Sequence, residues 1–169
     1  MTGLPAAGKS TLGAALERRL IETGHPAYLL DGDNVRRGLS EDLGFSPEDR
    51  ATHLRRVGEV ARLFADAGLV AVVALIAPQA AAREQLRRAH AEAGLPFIEV
   101  FVDTPVCECE RRDPKGLYAR AHSGELVEFT GVDAPYEAPE NPEVRIRTLE
   151  TTVEDAVSAI LALLSPRLP

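Results

Sequence analysis

The sequence predicts an α/β protein, a three-layer α/β/α sandwich around a mostly parallel sheet, on two observations. The first is the stretch Gly3-Leu4-Pro5-Ala6-Ala7-Gly8-Lys9-Ser10-Thr11, which fits the phosphate-binding loop pattern G-x-x-x-x-G-K-[ST] and runs straight into a helical pattern. The second is the alternation of short apolar runs with helix-period segments through the rest of the chain, as crossover-connected parallel strands require. Together they place the chain among P-loop NTPase folds. Glycines let such a loop close around an anion with its amides pointing inward, and the helix that starts at the lysine adds the positive end of its dipole. In that geometry Gly3 to Thr11 bind ATP, Lys9 reaches the β- and γ-phosphates, and the Ser10 hydroxyl is a ligand for Mg²⁺.

Only Met1 and Thr2 precede Gly3, although an apolar strand normally leads directly into this loop. Omitting about four buried apolar residues at ~1.5–3 kcal/mol each removes ~6–12 kcal/mol as an upper bound. That rivals a domain's whole margin of ~5–15 kcal/mol. The first strand is therefore expected to be truncated, with the sequence beginning at an internal methionine.

The elements follow in order. Helix residues from Thr11 to Leu20 are ended by Gly24-His25-Pro26. Ala27 to Leu30 reads as a buried strand that delivers Asp31-Gly32-Asp33-Asn34 to its carboxyl end, where open α/β sheets hold their ligands. The next strand, Leu69 to Ile76, ends in Ala77-Pro78 without an acid, so Asp31 and Asp33 are the carboxylates placed for catalysis and metal support. Between those strands, Ser46 is an N-cap with Pro47 at the first helical position and Asp49 in the capping-box place. The helix that follows, to about Ala67, carries Leu54, Val57, Val60, Ala61 and Phe64 at core spacing. Phe45, on a loop with polar and glycine neighbours, does not fit that core. Gln79 to about Ala93 is helical, Phe97 to Val102 a strand, Val144 to Arg147 a last strand, and Val153 to Leu164 a closing amphipathic helix. The stretch 111–142 has many turn residues and carries Arg111, Arg112, Lys115 and Arg120, which suits a lid over phosphates.

At 169 residues the chain is most economically one domain, from 1 to 169. A net charge of −7 argues against wrapping nucleic acid, and no membrane-length apolar run is present. The two cysteines, Cys107 and Cys109, are one residue apart, too close for a structural disulfide and without a second pair for zinc. A reducing cytoplasm is the expected location.

Several segments then resemble adenylylsulfate kinase, in order and at the family's spacing: Asp31 to Arg36, Asp42 to Ser46, Leu63 to Val70, Glu99 to Pro105, Arg112 to Tyr118, Phe129 to Asp133 and Pro135 to Glu137. The resemblance implies transfer of the ATP γ-phosphate to the 3′-hydroxyl of adenosine 5′-phosphosulfate, giving 3′-phosphoadenosine 5′-phosphosulfate for sulfate assimilation. It implies ATP and Mg²⁺ as cofactors and a small nucleotide as partner, with a homodimer as an assembly common in the family. By the same resemblance Phe45 and Phe129 sandwich the substrate adenine, Arg36 and Arg50 hold the phosphosulfate, and Asp33 stands beside the attacking hydroxyl. Asp31 supports it and the magnesium, Lys115 lies near the phosphates, and Arg112 lies near the ATP adenine. His53, Ile76, Ala77 and Leu117 complete the implied substrate contacts.

Three positions depart from the family pattern. Ala77 stands where a serine is usual, His53 where an asparagine contacts substrate, and Ala119-Arg120 where a basic pair is usual. None touches the loop or Asp33, but His53 bears on which acceptor is used. Two other readings therefore stay open: a kinase of the same fold acting on another nucleotide or metabolite hydroxyl, and a non-catalytic nucleotide-binding subunit.

Overall fold

The computed structural model describes residues 1–167. Helix α1 (Lys9–Glu22) buries Leu12, Leu16 and Leu20 along one face. Strand β1 (Ala27–Asp31) leads through Asp31 into the short helix α2 (Gly32–Arg36). Helix α3 (Pro47–Asp66) starts as its cap chemistry dictates, with the Asp49 amide donating to Ser46 Oγ at 3.1 Å. The reciprocal arm of the expected capping box is used elsewhere, because Asp49 Oδ2 accepts from the Gly44 amide instead. Strand β2 (Val70–Ala74), helix α4 (Ala80–Glu92), strand β3 (Val100–Asp103) and helix α5 (Val106–Arg112) come next. Helix α6 (Leu117–His122), strand β4 (Val144–Arg147) and helix α7 (Val153–Leu164) complete the regular elements with a final 3₁₀ turn at Ser165–Arg167.

The strands are parallel. β1 pairs with β2 from Ala27↔Val70 to Asp31↔Ala74, and β3 pairs with β4 from Val100↔Val144 to Asp103↔Arg147. The first residues of the chain join the two pairs. Leu75 N donates to Met1 O on one side, while Thr2 N donates to Val100 O and Val102 N to Thr2 O on the other. The spatial order is thus β1, β2, the Met1–Thr2 segment, β3, β4, and the loop Gly3–Gly8 leaves the middle of the sheet. Two apolar clusters form the core. One centres on Leu12, Leu16, Val72, Val102, Tyr118 and Ile160, the other on Leu30, Leu54, Val57, Ala61 and Leu75.

One expectation differs from the structure, and one stretch holds elements that its turn residues did not indicate. The strand expected from Phe97 begins at Val100, and just before it the Glu99 amide is taken by the Glu143 carboxylate at 2.6 Å. The stretch 111–142 contains the end of α5 and all of α6, with Tyr118, Ala121 and Phe129 buried. A helix of six residues is too short to show a period in the sequence. Among the described residues no helix is long and apolar enough to cross a membrane.

Candidate active site

The phosphate loop is built from the sheet outward. Gly3 has φ 157°, and a Cβ there would stand 2.6 Å from Val102 O, so only glycine lets the chain turn out of the sheet. Gly8, at φ 106°, caps α1 in the left-handed region, and only the tip of Arg112 lies within 4 Å of where its Cβ would be. Between them the loop carbonyls are tied from behind. Thr104 Oγ1 donates to Ala7 O at 2.9 Å, Tyr118 Oη to Pro5 O at 3.1 Å, and Arg112 Nη1 to Ala7 O at 3.3 Å. With these oxygens held outward, the amides of the tight loop face the opposite way, as an anion cradle requires. Thr104 and Tyr118 were not singled out from sequence for this work. Ser10 and Thr11 lie in the first turn of α1, both exposed.

Lys9 is buried and donates to Gly3 O at 3.0 Å and Leu4 O at 2.6 Å. Burial pushes its pKa down to about 8, offset by the nearby acids Asp31 and Asp33. An ammonium so desolvated is well suited to an anionic ligand, whose charge would restore it.

Asp31 ends β1 with both oxygens committed. Oδ2 accepts from Ser10 Oγ at 2.5 Å and Oδ1 from the Asp33 amide at 3.1 Å, which caps α2. Ser10 and Asp31, predicted from positions 21 residues apart as metal-supporting groups, are thus in contact. A hydroxyl beside a carboxylate is a hard oxygen donor set that fits Mg²⁺, completed by phosphate oxygens rather than by a protein cage. Among the described residues there is no cluster of three or more His, Cys, Asp or Glu side chains able to hold a metal. Asp33 points away from this pair into solvent, 61% exposed, and accepts a hydrogen bond from Lys115 Nζ. That contact joins β1's acidic end to the turn before α6.

The second half of the site is more open. Phe45 is 62% exposed, with the Arg36 guanidinium 4.5 Å from its ring centroid and that of Arg50 at 5.9 Å. Arg50 spans the gap to residues 128–130, donating to Phe45 O, Glu128 O and Thr130 Oγ1. Phe129 belongs to the buried core and meets Tyr118 edge-on at 5.0 Å. The two phenylalanines therefore differ in kind: Phe45 is exposed beneath two guanidinium groups, and Phe129 is fixed in the core. Leu117 is half-buried against the same core.

His53 is buried in α3, with Nδ1 2.9 Å from Ser40 Oγ and Nε2 as the one buried side-chain atom without a hydrogen-bond partner among the described residues. Burial, then the charges of Arg36 and Arg56, push its pKa down to about 4, so the ring is neutral near pH 7. Ile76 and Ala77 follow β2. Ile76 O accepts from Thr2 Oγ1 at 2.6 Å, and Ala77, at φ 45°, is a non-glycine residue in the left-handed region. Arg83 holds that turn by donating to Ala77 O at 2.7 Å.

Comparison with known proteins fits this geometry. The family profile for Adenylylsulphate kinase matches residues 1–147. An adenylyl-sulfate kinase of Emericella nidulans is 49% identical over 99% of this chain and 84% of its own length. The bifunctional enzyme NodQ of Rhizobium sp. strain N33 is 54% identical over 98% of this chain, which spans only 25% of that larger protein. Among solved structures, the Mycobacterium tuberculosis APS kinase CysC in complex with AMPPNP and APS superposes with a TM-score of 0.94 at 49% identity, covering 97% of this chain and 94% of that one.

Proposed function

The chain belongs to the adenylylsulfate kinase family, and from that premise we propose that it phosphorylates the 3′-hydroxyl of adenosine 5′-phosphosulfate at the expense of ATP. The observation that carries the reading is the split at the end of β1: Asp31 is bonded to the loop hydroxyl of Ser10, while Asp33, two residues on, faces outward to Lys115. One carboxylate serves the nucleotide side and the other the acceptor side.

Loop residues 3–11 and the Lys9 ammonium bind the β- and γ-phosphates, with Arg112 beside the nucleotide. Ser10 and Asp31 would hold Mg²⁺, which would supply positive charge against the phosphates. Phe45 and Phe129 take the acceptor's adenine, with Leu117, Ile76, Ala77 and His53 around it, and Arg36 and Arg50 take the phosphosulfate. Asp33 orients the 3′-hydroxyl and receives its proton as the new O–P bond forms and the γ-phosphorus separates from ADP. Lys115, displaced from Asp33 by the arriving hydroxyl, turns to the charge on the transferring group. Residues 111–142 act as the lid that keeps water from competing for the phosphoryl group. Free thiols at Cys107 and Cys109 support work in a reducing cytoplasm. A homodimer is the proposed assembly, supported by the exposed Tyr28 and Leu63, and sedimentation velocity checks it.

The test is ADP release from ATP with adenosine 5′-phosphosulfate beside a panel of nucleotides and small alcohols. The expected result is a kcat/KM for adenosine 5′-phosphosulfate at least ~100-fold above any other acceptor. The specific observation behind a second reading, a kinase for another hydroxyl, is the unpartnered His53 Nε2. A better acceptor in that panel would establish it.

A further inference from the structure

Arg83, near the start of α4, is 7% exposed and commits its side-chain nitrogens to three different segments of the chain. Nε donates to Glu99 Oε1 at 2.8 Å, Nη1 to Ala77 O at 2.7 Å and Nη2 to Glu137 O at 2.7 Å. A planar fork with donors along its edges can serve three fixed oxygens at once, which the point charge of a lysine on its flexible stem cannot reproduce. Glu99 also lies 3.5 Å from Arg87, so the carboxylate that orients the Arg83 guanidinium is itself held.

The two carbonyl partners sit far apart in sequence. Ala77 holds φ 45° although it carries a Cβ, a conformation that persists only where the surroundings impose it. Glu137 comes shortly after the turn that runs from Phe129 to Ala134. Further bonds join the same two places. Glu137 N donates to Pro78 O at 2.9 Å, and the Ala80 amide donates to Glu137 Oε2 at 2.6 Å. Tyr136 Oη lies 2.9 Å from Thr2 Oγ1, which in turn donates to Ile76 O at 2.6 Å. Residues 136–137 are thus fastened to residues 76–80, and the buried guanidinium bridges the two.

We propose that Arg83 is a positioning residue for the acceptor half of the site: it fixes the turn of Ile76 and Ala77 against the root of the 111–142 stretch, so that the acceptor meets one wall already set. The inference rests on the assignment of Ile76 and Ala77 to the acceptor side. Arg83 acts through these segments, since its nitrogens are taken up by protein oxygens. The wall it sets complements the open side, where Phe45 is exposed and depends on the ligand for its cover. Misplacing a binding group by about 1 Å from a distance can cost ~10²-fold in rate, so loosening this join is felt at the acceptor. The phosphate loop is tied elsewhere, by Thr104, Tyr118 and Arg112, and does not rest on Arg83.

Arg83→Lys keeps a charge opposite Glu99 and loses the fork. The KM for the acceptor is expected to rise ~10-fold or more, while the KM for ATP changes by less than about twofold. A role in stability alone would lower the melting temperature and leave both KM values in place. That result, or an equal rise in both, overturns the proposal. Should Arg83→Lys fold poorly, Glu137→Ala, at the exposed end of the same join, takes its place; a ~3-fold rise in acceptor KM is expected, and no rise overturns the proposal. The acceptor used is whichever one the wild-type protein turns over fastest in the panel above. Failure of adenosine 5′-phosphosulfate in that panel therefore counts against the proposed function and not against Arg83. Amide hydrogen exchange reads the join without turnover. Arg83→Lys is expected to speed exchange at Glu137 and Ala80 ~10-fold or more and to leave Leu12 in α1 unchanged. Unchanged exchange at Glu137 and Ala80 overturns the proposal.

Discussion

The nucleotide end and the acceptor end of this site are built differently. At the nucleotide end, Lys9 is buried, the loop carbonyls are held by Thr104, Tyr118 and Arg112, and Ser10 is locked to Asp31. At the acceptor end, Asp33, Lys115 and Phe45 are largely exposed, and Arg36 and Arg50 spend their donors on loop carbonyls and Thr130. A preorganised site holds its groups in place before the ligand arrives, whereas an open one spends binding energy on ordering them. On the proposed assignment, this contrast predicts that ATP enters a formed cradle and that the acceptor completes its own pocket.

Substitutions sharpen that contrast, the largest effect first. Asp33→Asn keeps the shape and removes the base, so kcat is expected to fall ~10²–10⁴-fold while ATP affinity measured by calorimetry is retained. A near-normal kcat with a raised KM would reduce Asp33 to a positioning group and move the base to Asp31. Lys9→Ala is expected to lower kcat/KM by ~10²–10³-fold and to weaken ATP binding as well, because its charge meets the phosphates in ground and transition states alike. Phe45→Ala should cost ~1–3 kcal/mol of acceptor affinity and leave ATP binding unchanged, which titration of each nucleotide separately will read. Equal losses for both would mean that the two ends are not independent.

Thr104→Val removes the donor to Ala7 O and leaves Thr148 Oγ1 without the partner it has at 2.7 Å. A loss of ~1 kcal/mol in denaturant stability with a few-fold rise in the KM for ATP is expected, without change in the KM for the acceptor. The smallest effect concerns His53. Its folded pKa of about 4 lies below the ordinary 6.5, so between those values the unfolded chain binds the proton and the folded one does not. Stability is therefore expected to fall as pH drops from 6.5 to 4, and His53→Asn should flatten that slope in urea melts at stepped pH.

The loop, helix and strand that build the proposed nucleotide end were legible in sequence because their signals are local. The spacing from Gly3 to Ser10 dictates the loop, and Asp31 and Asp33 fall at the end of a strand recognisable from four apolar residues. Helix α3 was legible through Ser46 and Pro47, and α7 through its apolar stripe. The supports behind the loop were not, since Thr104 reaches Ala7 across 97 residues and Tyr118 reaches Pro5 across 113. Nothing periodic encodes such contacts. The same holds for Arg50, whose bonds to Glu128 and Thr130 exist only once α3 and residues 128–130 are folded together. The late start of β3 was hidden because the carboxylate that takes the Glu99 amide, that of Glu143, lies 44 residues away.

Amide hydrogen exchange on the free protein, then with AMPPNP and Mg²⁺, then with adenosine 5′-phosphosulfate added, tests the asymmetry most directly. The loop amides of residues 4–11 that face the cradle are expected to slow when AMPPNP and Mg²⁺ are added and to change little when the acceptor follows. Residues 33–50 and 113–131 should exchange fast until the acceptor is added and slow sharply only then. Slowing of both regions on AMPPNP and Mg²⁺ alone, or slowing of the loop amides only when the acceptor is added, would contradict a formed cradle beside an unformed pocket.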